Sequence, residues 1–298
     1  MSYFFIINPK AGLRHGNIRE RIERFFSGRK LRCEIAFTAA RDHASELASR
    51  AVLAGFSRII AAGGDGTIRE TAIPLIGKGA ALGILPCGSG NGLARNLYIP
   101  LRFDAALEGL LKWEPRPVDA GLANGRPFLV SGGVGLDAEV AHDFNSPGSR
   151  RGILPYVWHA ARRLLSYKPV PVTVNLDGRR LELRALVNAV LNGVQYGGGA
   201  RVAPGAYIDD GLLDLVSLKK APLYRLLAAV PALFRGTLDR HPDIYSAYKG
   251  RVIEFNCGGG AWYHLDGEDF YSHDGRIRFT VLPSALRVIA PKPSLQER

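Results

Sequence analysis

Phe4, Phe5, Ile6 and Ile7 form a short unbroken apolar run ending in Asn8-Pro9, the pattern of a buried strand. Ile18, Ile22, Phe25 and Phe26 then recur at helical spacing, and Leu31, Cys33, Ile35 and Phe37 alternate as a strand does. Ala44, Leu47, Ala48, Ala51 and Val52 restore the helical period, with Gly55 placed to stop it. Residues 58–62 predict another strand, a helix is expected from about Thr67, and residues 81–85 predict a further strand. The order β-α-β-α-β-α-β predicts a parallel sheet covered by helices, in which ligands bind beyond the carboxyl ends of the strands.

Beyond about Val118 the rhythm changes. Residues 126–131, 170–176, 181–191, 212–218, 251–255 and 276–282 read as strands. Asp177-Gly178 fits a two-residue hairpin, and Asp274-Gly275 is a second candidate turn. An antiparallel sandwich follows, interrupted by two helices. One carries Leu154, Val157, Trp158, Ala161, Leu164 and Leu165; the other carries Leu223, Leu226, Leu227, Val230, Leu233 and Phe234. The fold class expected is an α/β N-terminal domain with a parallel sheet plus a mainly antiparallel β-sandwich C-terminal domain, divided as residues 1–120 and 121–284.

The 298 residues carry 39 Lys and Arg against 27 Asp and Glu, a net charge of +12, which favours anionic partners without choosing among them. Cys33, Cys87 and Cys257 lie far apart with no C-x-x-C pair, excluding a disulfide framework and a zinc-cysteine site and fitting a reducing cytoplasm. The N-terminus has no basic region before its apolar run, so no signal peptide is expected, and no run approaches the ~18 residues of a membrane span.

Gly63-Gly64-Asp65-Gly66-Thr67 lies between a strand and a helix. Its glycines let backbone N–H groups converge on an anion, and the helix N-terminus adds positive potential. Asp65 would repel a phosphate there unless a cation such as Mg²⁺ joined them. A tight turn capped by Asp65 or Thr67 is the plainer alternative. Two further segments bear on the choice. Asn8-Pro9-Lys10-Ala11-Gly12, with Arg14 beyond, follows the first strand, and Pro86-Cys87-Gly88-Ser89-Gly90-Asn91-Gly92, with Arg95 beyond, follows a later one. A parallel sheet brings all three to one edge, the outline of a nucleotide triphosphate site.

These segments resemble the diacylglycerol kinase catalytic-domain family, which includes bacterial lipid kinases, sphingosine kinases and ceramide kinases. Asn8-Pro9-Lys10-Ala11-Gly12 resembles its N-P-x-(S/A)-G opening, and residues 63–67 match its G-G-D-G-T turn. Asp209-Asp210-Gly211-Leu212-Leu213-Asp214 resembles its D-G-x-L-D segment, and Leu265-Asp266-Gly267-Glu268 its L-D-G-E. Gly88-Ser89-Gly90-Asn91 is closer to sphingosine kinases than to the threonine-containing bacterial form.

The resemblance implies an ATP- and Mg²⁺-dependent kinase that phosphorylates a hydroxyl of a diacylglycerol-like or sphingoid lipid. It assigns nucleotide contacts to Asn8, Pro9, Lys10, Ala11, Gly12, Thr38, Gly63, Gly64, Asp65, Gly66, Thr67 and Ser89, to which the meeting segments add Arg14, Gly88 and Asn91; the catalytic residues expected are Asp65 and the acidic pair Asp266 and Glu268. Read from the residues alone, Leu-Asp-Gly-Glu is equally a hairpin turn with a solvated Glu268. Arg69 departs from the family's usual Asn, which leaves Glu70 without a clear counterpart. A structural Mg²⁺ is implied at the Asp210 side chain with the carbonyls of Leu213 and Leu215. The last strand, residues 285–290, is expected to return to the first domain.

Gly133-Val134-Gly135-Leu136-Asp137-Ala138 matches G-x-G-x-x-A, but a dinucleotide site needs a following helix and an acid ~20 positions on, where residues 156–163 have none. His241 and His264 read as solvated or structural. Arg150, Arg151, Arg162, Arg163 and Lys168 surround the helix bearing Tyr156 and Trp158, which suits an anionic bilayer or simply a solvated face. The partners expected are a lipid substrate at a membrane surface, anionic phospholipid and a second copy in a homodimer, with the protein cytoplasmic and peripheral to the membrane. Nucleic acid is not expected, because no such motif accompanies the charge. The rivals are an NAD kinase-like enzyme and a non-catalytic nucleotide- or lipid-binding regulator.

Overall fold

The computed structural model describes residues 2–11, 17–145, 162–164 and 166–293. The chain divides into two compact units, Met1–Val118 with Ser284–Arg298 and Asp119–Pro283.

In the first unit the strands are β1 (Tyr3–Ile7), β2 (Cys33–Phe37), β3 (Arg58–Gly63) and β4 (Ala81–Pro86), joined by the end of a long last strand, β16 (Arg276–Ile289). Their order is β2-β1-β3-β4-β16, and every pairing is parallel. The all-buried β3 and β4 sit centrally, as continuous apolar runs require. Helices α1 (Ile18–Ser27), α2 (His43–Leu53) and α3 (Asp65–Ala72) follow β1, β2 and β3. α1 turns Ile18, Ile22 and Phe26 inward and is capped by Asn17, whose side chain accepts the Glu20 N–H. Phe5, Phe26, Ile59 and Ile60 are fully buried, each stabilising by about 1.5–3 kcal/mol relative to exposure. Two helices beyond β4 carry no sequence expectation: α4 (Gly92–Asn96) and α5 (Phe103–Lys112). The second buries Phe103, Ala106, Leu107 and Leu110, a plain helical period.

The second unit has two antiparallel layers. One is the start of β16 with β13 (Val252–Asn256), β8 (Val172–Leu176) and β9 (Arg179–Leu183) in that order, flanked by β5 (Pro115–Ala123) and β6 (Arg126–Phe128). The other contains β7 (Ser131–Gly135), β10 (Val187–Leu191), β11 (Leu213–Leu218), β12 (Tyr245–Gly250), β14 (Ala261–Leu265) and β15 (Glu268–Ser272), ordered β12-β11-β10-β7-β14-β15. Val174, Phe255, Ile277 and Phe279 from the first layer meet Val134, Val190, Leu215 and Leu265 from the second in one apolar core. The outer face of the six-stranded sheet holds a second core under helix α7 (Leu223–Arg235).

The sequence pattern merges residues 181–191 into one strand. The structure divides them into β9 and β10, which belong to different layers, so the chain crosses the sandwich between them. Asp177-Gly178 forms the β8–β9 hairpin, with φ of 49° and 90°. A helix, α6 (Leu136–Asn145), does follow the Gly133–Gly135 segment. β7 is antiparallel to both neighbours, however, so no parallel crossover unit exists there and the dinucleotide pattern stays fortuitous. Of the helix expected around Trp158, all but residues 162–164 lie outside the described residues.

Candidate functional site

β1, β3 and β4 are neighbours, so the segments leaving their carboxyl ends emerge together. Asn8 ties the first two. Its backbone N–H donates to the Ala62 carbonyl at 3.0 Å, its Nδ2 donates to Thr67 Oγ1 at 3.1 Å, and its Oδ1 accepts the Lys10 N–H at 2.9 Å. Asp65 ties the second to the third. Its Oδ2 accepts the Asn91 N–H at 2.8 Å and its Oδ1 the Gly92 N–H at 2.6 Å. Asn91, at φ 53°, closes the loop on itself: its Oδ1 accepts the Gly88 N–H at 3.0 Å and its Nδ2 donates to the Gly88 carbonyl at 2.8 Å. Arg95 Nε adds a bond to the Gly90 carbonyl at 3.0 Å.

The turn and the loop touch backbone to backbone. A Cβ on Gly88 would lie 2.6 Å from Gly64 Cα, and one on Gly63 would lie 2.5 Å from Thr67 Cβ. α3 starts at Asp65 with Gly64 as its N-cap and no side-chain cap. A helix start of this kind offers N–H groups and positive potential to an anion. Lys10 and Ser89 are exposed and Pro9 and Ala11 flank Lys10 on the same segment, while Thr38 follows β2 with its N–H on the Ile7 carbonyl at 2.9 Å. Glu70 is turned elsewhere, its Oε2 accepting the Ala44 N–H at the start of α2 at 3.3 Å. Gly12 and Arg14 lie outside the described residues.

In the second unit, Asp266 and Gly267 are the two-residue turn of the β14–β15 hairpin, at φ 49° and 86°. The Asp266 carboxylate accepts three backbone N–H groups: Oδ2 from Leu129 at 2.8 Å, and Oδ1 from Val130 at 2.9 Å and Ser131 at 3.0 Å. Its own N–H donates to the Ser131 carbonyl at 2.7 Å. The acidic pair is therefore unequal. Asp266 is an anchor, whereas Glu268 opens β15 half-buried. α6 holds the same hairpin from the side. His142 Nδ1 lies 2.8 Å from Asp269 Oδ2 and its ring stacks on Trp262 at 3.8 Å; Asn145 Nδ2 donates to Asp269 Oδ1 and to the Gly267 carbonyl, each at 2.9 Å. Burial would raise the Asp269 carboxyl, but the bonds from His142 and Asn145 outweigh it and hold the group below its ordinary range.

Comparison with known proteins places the chain in a family. The family model for the diacylglycerol kinase catalytic domain matches residues 2–123. The model for the YegS C-terminal NAD kinase beta sandwich-like domain matches residues 130–290. The chain is 32% identical over 271 residues to the diacylglycerol kinase of Bacillus subtilis, covering 88% of this chain and 86% of that protein. The chain belongs to the diacylglycerol kinase family. It is also 35% identical over 263 residues to a Pseudomonas aeruginosa protein named "Probable lipid kinase YegS-like", covering 85% and 84% of the two chains. A crystal structure of a diacylglycerol kinase from Bacillus anthracis shares the fold, with a TM-score of 0.75, 21% identity and 97% of each chain covered.

Asp210, where the family resemblance implies a structural Mg²⁺, has a lysine as its near neighbour. Asp210 Oδ1 accepts the Leu212 N–H at 3.1 Å, and its Oδ2 lies 2.9 Å from Lys249 Nζ. Lys249 also stands 3.8 Å from Asp214, whose carboxyl is pushed up to about 6 by burial against the opposing pull of Lys249. Leu213 and Leu215 lie within β11, with β12 paired along both and β10 along Leu215. An ammonium thus stands beside the Asp210 carboxylate.

Arg163 also reads differently in place. It forms a two-pronged ion pair with Asp143 at 2.6 and 2.8 Å and reaches Glu139 at 3.1 Å, so it braces α6 instead of presenting a surface cation. Arg150, Arg151, Tyr156 and Trp158 lie outside the described residues. His264 is fully buried, not solvated. It meets Tyr196 Oη and lies 3.1 Å from Asp137 Oδ2, and Tyr196 Oη donates to the same oxygen at 2.9 Å. This polar cluster, two residues before Asp266, escapes sequence reading because its members are 59 and 68 positions apart.

Proposed function

We infer that the protein is an ATP-dependent lipid kinase that moves the γ-phosphoryl group to a hydroxyl of a diacylglycerol-like or sphingoid lipid. One observation carries this reading: Asp65 locks the 63–67 turn to the 88–92 loop, so glycine-rich backbone from two strands meets at an uncapped helix start. Such a cradle suits a triphosphate. Lys10 and the N–H groups of Gly66 and Thr67 would hold its oxygens, with Asn8 shaping the first segment and Thr38 and Ser89 at the rim.

The nucleotide would enter as its magnesium complex, with the metal neutralising phosphate charge. Each Asp65 oxygen keeps a second lone pair beside its N–H bond, so the carboxylate can meet that complex without releasing the loop. Glu268 would orient the acceptor hydroxyl and take its proton as its oxygen bonds the γ-phosphorus and the bond to the β–γ bridging oxygen breaks, releasing ADP. Asp266 would hold the hairpin on which Glu268 stands.

The test is transfer of ³²P from labelled ATP to diacylglycerol, monoacylglycerol, sphingosine, ceramide, phosphatidylglycerol and NAD⁺, in mixed micelles for the lipids. Label in one lipid, lost in Asp65→Ala, is the expected result. Label in NAD⁺ alone would favour the NAD kinase-like reading. Label in none, with ATP still bound, would make the protein a regulator on this scaffold.

A further inference from the structure

α7 packs Leu226, Ala229, Ala232 and Leu233 onto the outer face of the six-stranded sheet. That leaves its other face to be explained. Leu223, Leu227, Val230 and Phe234 are spaced by four, three and four residues, so they form one stripe along the helix. They are 48, 60, 43 and 55% exposed, and Tyr224 beside them is 68% exposed. Among the described residues ten large hydrophobic side chains are exposed, and half of them stand on these 13 residues. Such concentration marks a contact surface, because scattered exposure is what an ordinary surface shows.

The charge around the stripe selects its occupant. Residues 215–238 contain Lys219, Lys220, Arg225 and Arg235 and not one acidic residue. Lys219 and Lys220 precede the helix, Arg235 ends it, and all four basic side chains are exposed. Arg225 pairs with Asp243 at 3.2 Å and Lys220 reaches the Tyr167 carbonyl at 2.9 Å, so Lys219 and Arg235 bracket the stripe most openly. A second copy docked face to face would bring like charges together at both ends. An anionic bilayer instead accepts apolar side chains below its headgroups and cations at their level.

We propose that α7 is the surface by which the protein docks on anionic membranes, lying in the interface plane with Leu223, Leu227, Val230 and Phe234 inserted. This deepens the lipid-kinase reading and rests on it, since a kinase with a bilayer-resident acceptor must reach it from water.

Two double variants test the proposal, Leu227→Glu with Phe234→Glu and Lys219→Gln with Arg235→Gln, both on the solvent side of the helix. Co-sedimentation is measured with vesicles of equal phosphatidylglycerol and phosphatidylcholine and with phosphatidylcholine alone. Sedimentation velocity and circular dichroism report assembly and folding. Turnover is measured on diacylglycerol in the vesicles and on monomeric dioctanoylglycerol. The expected result is that the first variant binds phosphatidylglycerol vesicles at least about tenfold more weakly and loses vesicle-borne turnover. It keeps turnover on the monomeric acceptor, and the second variant loses only the preference for anionic vesicles. Unchanged vesicle binding by folded variants overturns the proposal. So does a wild-type dimer that the first variant splits while vesicle binding persists, which would make the face a subunit contact. Wild-type protein that binds vesicles through this face yet phosphorylates neither acceptor sinks the choice of diacylglycerol as acceptor and leaves the docking surface standing.

Discussion

Asp65 and Asn91, 26 residues apart, are joined by the Asn91 N–H donating to Asp65 Oδ2 at 2.8 Å, with the Gly92 N–H on the other oxygen. A carboxylate read from sequence as a partner for a cation is thus the fastener between the 63–67 turn and the 88–92 loop. Asp65→Asn keeps the shape but points an amide donor at one of two N–H groups. We expect a loss of about 1–3 kcal/mol in urea unfolding and at least a ~100-fold fall in phosphoryl transfer. A variant as stable as the wild type would remove the fastening role.

Gly88→Ala probes the same junction by volume alone. The added Cβ would stand 2.6 Å from Gly64 Cα, a backbone atom that cannot swing aside. The loop must retreat from the turn, at a cost of about 1–3 kcal/mol. Calorimetric titration with a non-hydrolysable ATP analogue should show weaker binding, and thermal melting should show the lowered stability.

Much of this was legible beforehand. The apolar run at residues 4–7 and the alternating pattern of residues 31–37 place β1 and β2, and the glycine clusters fall where β3 and β4 end. β5 hides behind Pro115 and Pro117, and β7 behind three glycines that resemble a cofactor motif. Those residues weaken local strand preference, and only neighbouring strands hold them extended. The anchoring bonds of Asp65 and Asp266 are equally silent in one dimension, because their partners are backbone N–H groups, which every non-proline residue carries.

Asp266 and Glu268 should separate cleanly on substitution. Asp266→Ala strands three N–H groups, those of Leu129, Val130 and Ser131. We expect a loss on the order of 3 kcal/mol, read as a lower denaturation midpoint. Glu268→Gln should melt like the wild type and turn over about 100- to 10,000-fold more slowly. Equal destabilisation by both changes would contradict the division of labour.

Lys249 stands 2.9 Å from Asp210, the carboxylate to which the family pattern assigns a magnesium ion. Thermal melting should therefore be indifferent to a chelator and to added Mg²⁺. Lys249→Met should cost about 1–2 kcal/mol, a value reduced by the partial exposure of the pair. A Mg²⁺-dependent rise in the wild-type Tm would restore the metal site.

The Asp269 carboxyl, held low by His142 and Asn145, sets one limb of the acid response. A carboxylate with a depressed folded pKa contributes stability above its unfolded value, ~3.9, and loses it as pH falls through the lower folded value. Asp269→Asn should thus be less stable than the wild type above about pH 4, and the two curves should converge below it. Curves that run parallel at all pH values would show that the bonds to His142 and Asn145 carry no net charge effect.

β16 runs without interruption from Arg276 to Ile289, and the first unit claims only its end. Arg287 and Val288 pair with Ala81 and Leu82, and the Ala285 carbonyl accepts the Gly77 N–H. These contacts are made by residues about 200 positions after β4 in the chain. The first unit, although its opening strands are translated first, cannot complete its sheet until β16 is made, so a stalled chain exposes the flank of β4 as an open edge ready to pair with a stranger.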